Sequence, residues 1–336
     1  MEFSMNKQMA CINISEPGGP EVLVPQKRAV PVPGDDEVLI QVHAAGINRP
    51  DVVQRMGRYN PPPGITDIPG LEVAGIVVAL GKAVAQVKIG DAVCALVAGG
   101  GYAEYCVAPV GQVLPIPSNM SMVEAAGIPE NYFTVWSNIF DCAKLTKDEI
   151  FMVHGGSSGI GNAAIQLAKH AGAKVIATAG SEQKCKICKE LGADLAINYR
   201  EQDFVGPVKE FAGKAGVNVI LDMVGGHYVQ GNIDCLGRDG RLVQIAFLNG
   251  SKVQLDLLPV MLKRLVLTGA TLRPRSLLEK EAIAKQLRAH VWPSFESGDL
   301  KVIVHQTFRL SEASEAHALM ESSQHVGKII LDLTNN

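Results

Sequence analysis

The sequence predicts an α/β fold in which a doubly wound parallel sheet is inserted into a mostly β domain. Three observations predict it. Residues before about 125 hold short apolar runs separated by Gly and Pro. The stretch from Ile150 to Ala246 alternates apolar runs with helical segments, which implies a parallel sheet covered on both faces. After residue 272 a mixed pattern resumes, so the middle segment interrupts the outer domain. The expected boundaries are 1–125 with 270–336 for the outer domain and 126–269 for the insert. A chain of 336 residues is long enough for two domains.

In the outer domain, Met9–Ile14, Val38–Ala44, Val73–Leu80, Ala92–Val97 and Tyr102–Val107 read as strands of a twisted, mostly antiparallel sheet. Glu16–Pro20, Pro31–Gly34 and Pro61–Gly64 carry the turn residues between them. One helix stands out after the second of these strands. Asn48 suits an N-cap, Pro50 is tolerated in the first turn, Asp51 complements the helix dipole, and Gly57 ends it.

The insert opens with the most informative stretch, Glu149–Ala164. The apolar run Ile150–Val153 leads into a glycine cluster, and a helical segment, Asn162–His170, follows. Gly159, Gly161 and Ala164 have the G-x-G-x-x-G/A spacing of a dinucleotide site. In that arrangement Gly159 gives the tight turn, Gly161 admits a pyrophosphate close to the backbone, and Ala164 lets helix pack on strand. The helix N-terminus adds unpaired N–H groups and a partial positive charge. Gly172 stops the helix and Lys174–Ala179 forms the next strand, a βαβ length. Helix Glu182–Leu191, strand Asp194–Ile197, helix Asp203–Ala212, strand Val217–Asp222, helix Tyr228–Leu236 and strand Arg241–Ala246 complete a Rossmann alternation. The acid that holds a ribose 2′-OH belongs about 20 residues past the first glycine. Ala179, Gly180 and Ser181 stand there, with Lys184 and Arg200 nearby, although Glu182 is close too. A neutral loop with neighbouring cations suits a 2′-phosphate, so the expected cofactor is NADPH.

After the insert come helices Leu278–Glu296 and Ser311–Ser322 and strands Val302–Thr307 and Lys328–Leu333, expected to complete the outer domain. The formal net charge of −3 and the lack of a long basic run speak against a nucleic-acid partner. No run of 18 apolar residues occurs, so no membrane span is expected. Met1–Gln8 lacks the charged-then-apolar layout of a secretory signal, and a cytoplasmic location is the expectation. Seven scattered cysteines, an odd number, read as reduced thiols. Cys185 and Cys188 fall inside a helical segment with no second ligand pair at zinc spacing, and no metal is expected.

Several segments together carry a family resemblance: Gly46–Asp51, Gly57–Gly64, Pro69–Gly75, Lys88–Asp91, Gly99–Tyr105 and Ala126–Thr134. Over nearly its whole length the chain resembles the medium-chain dehydrogenase/reductase superfamily. It is similar in particular to the zinc-free quinone oxidoreductases, including the branch of the tumour-suppressor-inducible enzyme and the zeta-crystallin-like proteins. The resemblance implies that the outer domain is a GroES-like catalytic domain. It implies that Asn48 and Tyr59 face the nicotinamide, as the candidate catalytic residues. Thr134 would hold the carboxamide, and Ser158, Gly159, Ile160 and Gly161 the pyrophosphate. Ser181, Lys184 and Tyr199 would surround the 2′-phosphate. Ile245, Phe247 and Leu248 would run beside the nicotinamide, with Gly327 and Lys328 closing the site. The family also implies a homodimer, for which Arg264–Ala270 reads as an apolar edge strand.

The chain departs from the zinc-dependent alcohol dehydrogenases of that superfamily. Asn48 stands near the position of their catalytic cysteine, Leu71 stands in place of a histidine, and the four-cysteine lobe is absent. Without a Lewis acid, substrates that accept hydride easily are favoured. The expected activity is therefore zinc-independent hydride transfer from NADPH to a quinone. Alternatives are a double-bond reductase acting on enones or enoyl thioesters, and a non-catalytic protein that binds NADPH or RNA. Individual residues keep other readings. Asn48 also reads as a cap, Tyr59 as a surface aromatic, Asp222 as either a cleft residue or a cap of the Met223–Gly226 turn, and His154 as packed rather than catalytic.

Overall fold

The computed structural model describes residues 7–334, so most of the segment read for a targeting signal lies outside the described residues. The chain divides into two compact units. One is formed by the chain up to Phe133 and again from Arg273 onward, the other by Thr134–Leu272.

The first unit begins with β1 (Gln8–Ile14) and β2 (Leu23–Ala29), an antiparallel pair of their own. β2 is not apparent in the sequence, because Pro25 and three polar residues after it break the apolar alternation. β3 (Glu37–Ile47) and β4 (Glu72–Leu80) pair antiparallel, with Ala45 opposite Val73. β5 (Ala92–Leu96) continues the sheet, β6 (Tyr105–Pro109) pairs with β3, and the short β7 (Val113–Pro115) pairs with β5. The strand expected from Tyr102 starts at Tyr105. Tyr102 is instead buried in a turn whose backbone carbonyl accepts from Ile12. The expected helix is present as Arg49–Arg55. Further helices, Met122–Ala125 and Pro129–Val135, follow β7.

The second unit is a six-stranded parallel sheet: β8 (Ile150–Val153), β9 (Lys174–Ala179), β10 (Leu195–Asn198), β11 (Val217–Asp222), β12 (Leu236–Gln244) and β13 (Val266–Gly269). Their spatial order is β10-β9-β8-β11-β12-β13. The direction of travel reverses between β8 and β11, the switch point at which such sheets hold ligands outside their C-terminal edge. Helix Gly159–His170 starts three positions before the expected Asn162, and β12 starts before the expected Arg241. Met152, Ile176, Val208, Ile220 and Ile233 are buried in its core. Burying each such side chain contributes roughly 1.5–3 kcal/mol.

The chain then returns to the first unit. The helix expected over Leu278–Glu296 is two helices, Leu277–His290 and Trp292–Glu296. Pro293 explains the break, because it lacks an N–H and its ring collides with a preceding carbonyl in an unbroken helix. β14 (Val304–Arg309) lies parallel to β15 (Lys328–Asp332), and helix Ala313–Ser322 joins them. β15 pairs antiparallel with β3, Ile329 opposite Ile47. That register sets Lys328 beside Asn48, the last link the site in this unit needs.

Candidate functional site

In the second unit the dinucleotide-type loop lies where β8 ends. Ser158 caps helix Gly159–His170, its Oγ accepting from Gly161 N–H at 3.0 Å. The N–H groups of Gly159 and Ile160 find no acceptor among the described residues, so the first turn could bind an anion. The tight turn expected at Gly159 falls earlier, at Gly155, which takes a left-handed φ of +69°. Gly161 is small for a reason of the protein's own, since a Cβ there would collide with the backbone of Gly155 and Gly156. Ala164 is fully buried, as close helix–strand packing requires.

The end of β9 lies one strand away. Ser181 caps helix Glu182–Glu190, accepting from Lys184 N–H at 3.2 Å. A Cβ on Gly180 would lie 2.6 Å from the Tyr199 hydroxyl and 3.5 Å from Arg200 Nε. Burial, and then the charge of Arg200, lower the Lys184 pKa. Two cations that disfavour each other, a phenol and a serine thus gather at one small neutral turn. A phosphate dianion would relieve the repulsion. Glu182, the residue that argued against a phosphate, is exposed. These residues fit the phosphates of NADPH.

Ile245, Phe247 and Leu248 follow β12 at the same C-terminal edge. Ile245 and Leu248 N–H donate to the carbonyls of Asp222 and Met223. Phe247 and Leu248 are each half exposed, available to a planar ring. Thr134 begins this unit, and its carbonyl accepts from Asn138 Nδ2 at 2.8 Å and from Ser137 Oγ. Nothing among the described residues joins its hydroxyl to the loops above. Asp222 resolves as a cap: its carboxylate accepts from Val224 and Gly225 N–H and from Asn232 Nδ2. His154 is packed as expected, bonded to Thr178 Oγ1 at 2.9 Å and Asn232 Oδ1 at 2.7 Å, between the rings of Phe204 and Tyr228. Cys185 and Cys188 are buried free thiols on one helix.

The first unit holds a different kind of site. Asn48 stands at the N-cap position, where Asp51 Oδ2 accepts its N–H at 2.8 Å. Its carboxamide does not cap. Nδ2 donates to Glu72 Oε1 at 2.8 Å, and Oδ1 accepts from Lys328 Nζ at 2.8 Å. Lys328 Nζ also reaches Glu72 Oε1 at 2.6 Å and the Ile47 carbonyl at 3.3 Å. All three protons of the ammonium are therefore engaged, and Lys328 is 3% exposed. In this arrangement the charge of Lys328 is taken up by Glu72 and Asn48. Gly46 leaves the room, because a Cβ there would overlap the Glu72 carboxylate.

The same geometry bears on zinc. The position beside Glu72 is filled by an ammonium and a carboxamide, and Leu71 is buried and apolar. On β5, the Cys94 thiol is pushed well up by burial and by the Glu72 charge. This donor set does not fit a catalytic zinc, which takes thiolate, imidazole or carboxylate around an open position.

Tyr59 is half-buried rather than a free surface aromatic. The Arg273 guanidinium lies over its ring at 5.3 Å and donates to its carbonyl at 3.3 Å. Burial raises the phenol's pKa, Glu130 adds to the rise, and Arg273 partly offsets it. Asp51 is fully buried, and burial lifts its carboxyl to about 6 despite hydrogen bonds from Asn48 and Gly70 N–H. Glu72, Glu130 and Arg273 join this region without standing out in the sequence as site residues. For the first two a signal existed: an acid inside an apolar run is buried, and a buried acid needs a partner or a proton.

Comparison with known proteins places these two units in known families. Residues 34–118 match the alcohol dehydrogenase GroES-like domain and residues 159–287 the zinc-binding dehydrogenase family. The chain is 34% identical over 330 residues to a quinone oxidoreductase of Sus scrofa, covering 97% of this chain and 98% of that protein. A quinone oxidoreductase of Escherichia coli, solved in complex with NADPH, is 30% identical with a TM-score of 0.85, over 97% of this chain and 100% of that one. The ER cyclopropanase of the curacin A biosynthetic pathway is 28% identical with a TM-score of 0.84, over 97% of this chain and 99% of that one.

Proposed function

The chain belongs to the quinone oxidoreductases of the medium-chain dehydrogenase/reductase superfamily, and from that membership we propose that it is an NADPH-dependent, zinc-independent quinone reductase. The observation that carries the cofactor choice is the gathering of Ser181, Lys184, Tyr199 and Arg200 where an NADH site would place an acid. Bound there, the dihydronicotinamide would supply a hydride to a quinone or conjugated carbonyl. The free first-turn N–H groups of Gly159 and Ile160 orient the pyrophosphate, while Ser158 caps the Gly161 N–H and Gly161 keeps the loop closed against the helix. In this reading Thr134 holds the carboxamide, and Ile245, Phe247 and Leu248 line the nicotinamide. Asn48 and Tyr59 serve the reacting end. Asn48 is held by Glu72 and Lys328, so it acts as a rigid wall rather than a mobile ligand. Tyr59 offers its hydroxyl to the substrate oxygen, and its raised pKa suits a hydrogen-bond donor better than an acid. Catalysis then rests on orientation.

A second reading, reduction of enones or enoyl thioesters, is supported by the likeness to the ER cyclopropanase. Turnover of NADPH with 1,2-naphthoquinone and with a simple 2-alkenal separates the two. Faster loss with the quinone is expected, and preference for the alkenal would transfer the protein to the double-bond reductases.

The homodimer belongs to the same proposal. β13 is the edge of its sheet, with Val266 50% exposed. Helix Leu258–Lys263 beside it leaves Leu258, Met261 and Leu262 exposed. An apolar edge of this kind is what a second copy covers. Among the described residues no helix is long and apolar enough to cross a membrane, so this face is not that of a membrane-spanning helix. Sedimentation should give twice the chain mass.

A further inference from the structure

Among the described residues, the stretch from Tyr59 to Gly64 is joined to the rest of its unit by a single backbone hydrogen bond. It reads Tyr-Asn-Pro-Pro-Pro-Gly, and its prolines have no N–H to donate. Within the turn, the Pro62 carbonyl accepts from Ile65 N–H at 3.1 Å. The one outward bond is at Tyr59, whose carbonyl accepts from Arg273 Nη1 at 3.3 Å. The same guanidinium lies 5.3 Å from the centre of the Tyr59 ring, and its Nε donates to the Ala98 carbonyl at 2.7 Å. The turn after Ala98 is itself fixed. Gly100 N–H donates to the Ile68 carbonyl at 2.8 Å, and Gly101 N–H to the Gly70 carbonyl at 3.1 Å. Lys280 Nζ holds the Arg273 backbone by donating to its carbonyl at 2.8 Å. Arg273 therefore latches the tyrosine loop to a rigid neighbour. It is 6% exposed, and a guanidinium stays charged in a protein. A buried cation is ordinarily paired with an acid. Here both bonded partners are neutral carbonyls, Nη2 has no hydrogen-bond partner, and no ion pair joins the group to a described acid. Asp51 and Glu130 lie within its field without bonding to it. Holding two carbonyls needs donors rather than a full charge, so the charge itself suits a partner that becomes negative beside it.

We infer that Arg273 is the positioning residue of Tyr59, fixing its loop and its ring so that the hydroxyl donates a hydrogen bond to the acceptor oxygen as negative charge gathers there. The inference rests on the proposed function, in which Tyr59 meets the substrate oxygen. Hydride transfer converts NADPH to NADP⁺ and leaves the acceptor oxygen negative, and water later supplies its proton. Tyr59 keeps its own proton throughout. A cation over the ring draws electron density from the phenol and makes its O–H a stronger donor, the direction in which Arg273 moves that group. A donor held in place before the reaction stabilises the charge of the transition state more than the neutral substrate, so the effect falls on kcat. Arg273 acts through Tyr59 rather than on the substrate.

A double-mutant cycle on the full chain tests this. The readouts are kcat and KM for Arg273→Met, Tyr59→Phe and the pair, with whichever of 1,2-naphthoquinone and the 2-alkenal the wild type reduces faster. Arg273→Met alone should lower kcat about fivefold, no more than loss of the hydroxyl itself, and leave KM for NADPH unchanged. In the Tyr59→Phe background the same substitution should lower kcat less than about twofold, because the hydroxyl it served is gone. Phenylalanine keeps a ring under the guanidinium, so the cycle isolates the hydroxyl. A substitution that merely loosened the fold would lower kcat equally in both backgrounds. Arg273→Lys keeps the charge but lacks the planar fork that reaches two carbonyls from over the ring. It should show the same non-additivity, and it serves if the methionine variant does not fold. Losses that add, no loss of kcat, or a rise in KM for NADPH with kcat unmoved overturns the inference alone. A wild type that reduces neither acceptor overturns it together with the proposed function.

Discussion

The two units build their candidate sites from opposite materials. In the second unit the site is mostly backbone: first-turn N–H groups, a serine cap, a left-handed glycine and the ends of parallel strands, drawn largely from residues 155–161 and 179–200. In the first unit it is side chains. Asn48, Glu72 and Lys328 meet from three strand ends, and the Lys328–Glu72 pair spans 256 positions. A backbone site is set by local conformation and can receive a charged ligand without carrying charge of its own. A side-chain site must neutralise every charge it buries, which is why Lys328 is spent on Glu72, and burial with few cations to spare pushes the Glu130 carboxyl up to about 8.

The largest expected effect breaks the backbone half. Gly159→Val should abolish NADPH binding, because its side chain lies where the pyrophosphate would meet the free N–H groups. A titration showing wild-type affinity would move the site elsewhere. Next is Lys328→Met, which leaves Glu72 buried and unpaired and should cost about 3–5 kcal/mol in denaturant unfolding. The folded variant should still bind NADPH normally. A large loss of affinity with unchanged stability would place Lys328 at the cofactor instead.

Smaller effects sharpen the contrast. Lys184→Ala should weaken NADPH about tenfold, the lower end of what a hydrogen bond to a charged group contributes at a part-exposed position. It should leave NADH affinity unmoved. Equal losses for both cofactors would remove the 2′-phosphate assignment. Tyr59→Phe should be the mildest, lowering kcat by about tenfold or less, since water can replace the phenol in protonation. A loss of many orders of magnitude would make Tyr59 the essential acid and contradict catalysis by orientation.

The same division explains what could be read in advance. The Gly159, Gly161, Ala164 spacing and the βα alternation are local patterns, and the parallel sheet follows from them. Even there the turn moved from Gly159 to Gly155, because spacing identifies a glycine loop without saying which member takes positive φ. The two-stranded β1–β2 sheet was half legible: β1 alternates, whereas β2 holds Pro25, Gln26, Lys27 and Arg28 and reads as loop. Pro293 signalled the break between two helices, but the apolar residues on either side outweighed it in the pattern. Asn48 and Lys328 were recognisable as site residues only through family likeness, and their mutual contact was not. It depends on the pairing of β15 with β3, which no short window contains.

The most direct test of the central claim is the ratio of kcat/KM for NADPH to that for NADH, measured with 1,2-naphthoquinone and purified protein. Rapid quinone-dependent oxidation is expected, with a ratio well above ten that falls toward one in Lys184→Ala. Rapid oxidation of both cofactors at equal efficiency, or none of either, would contradict it.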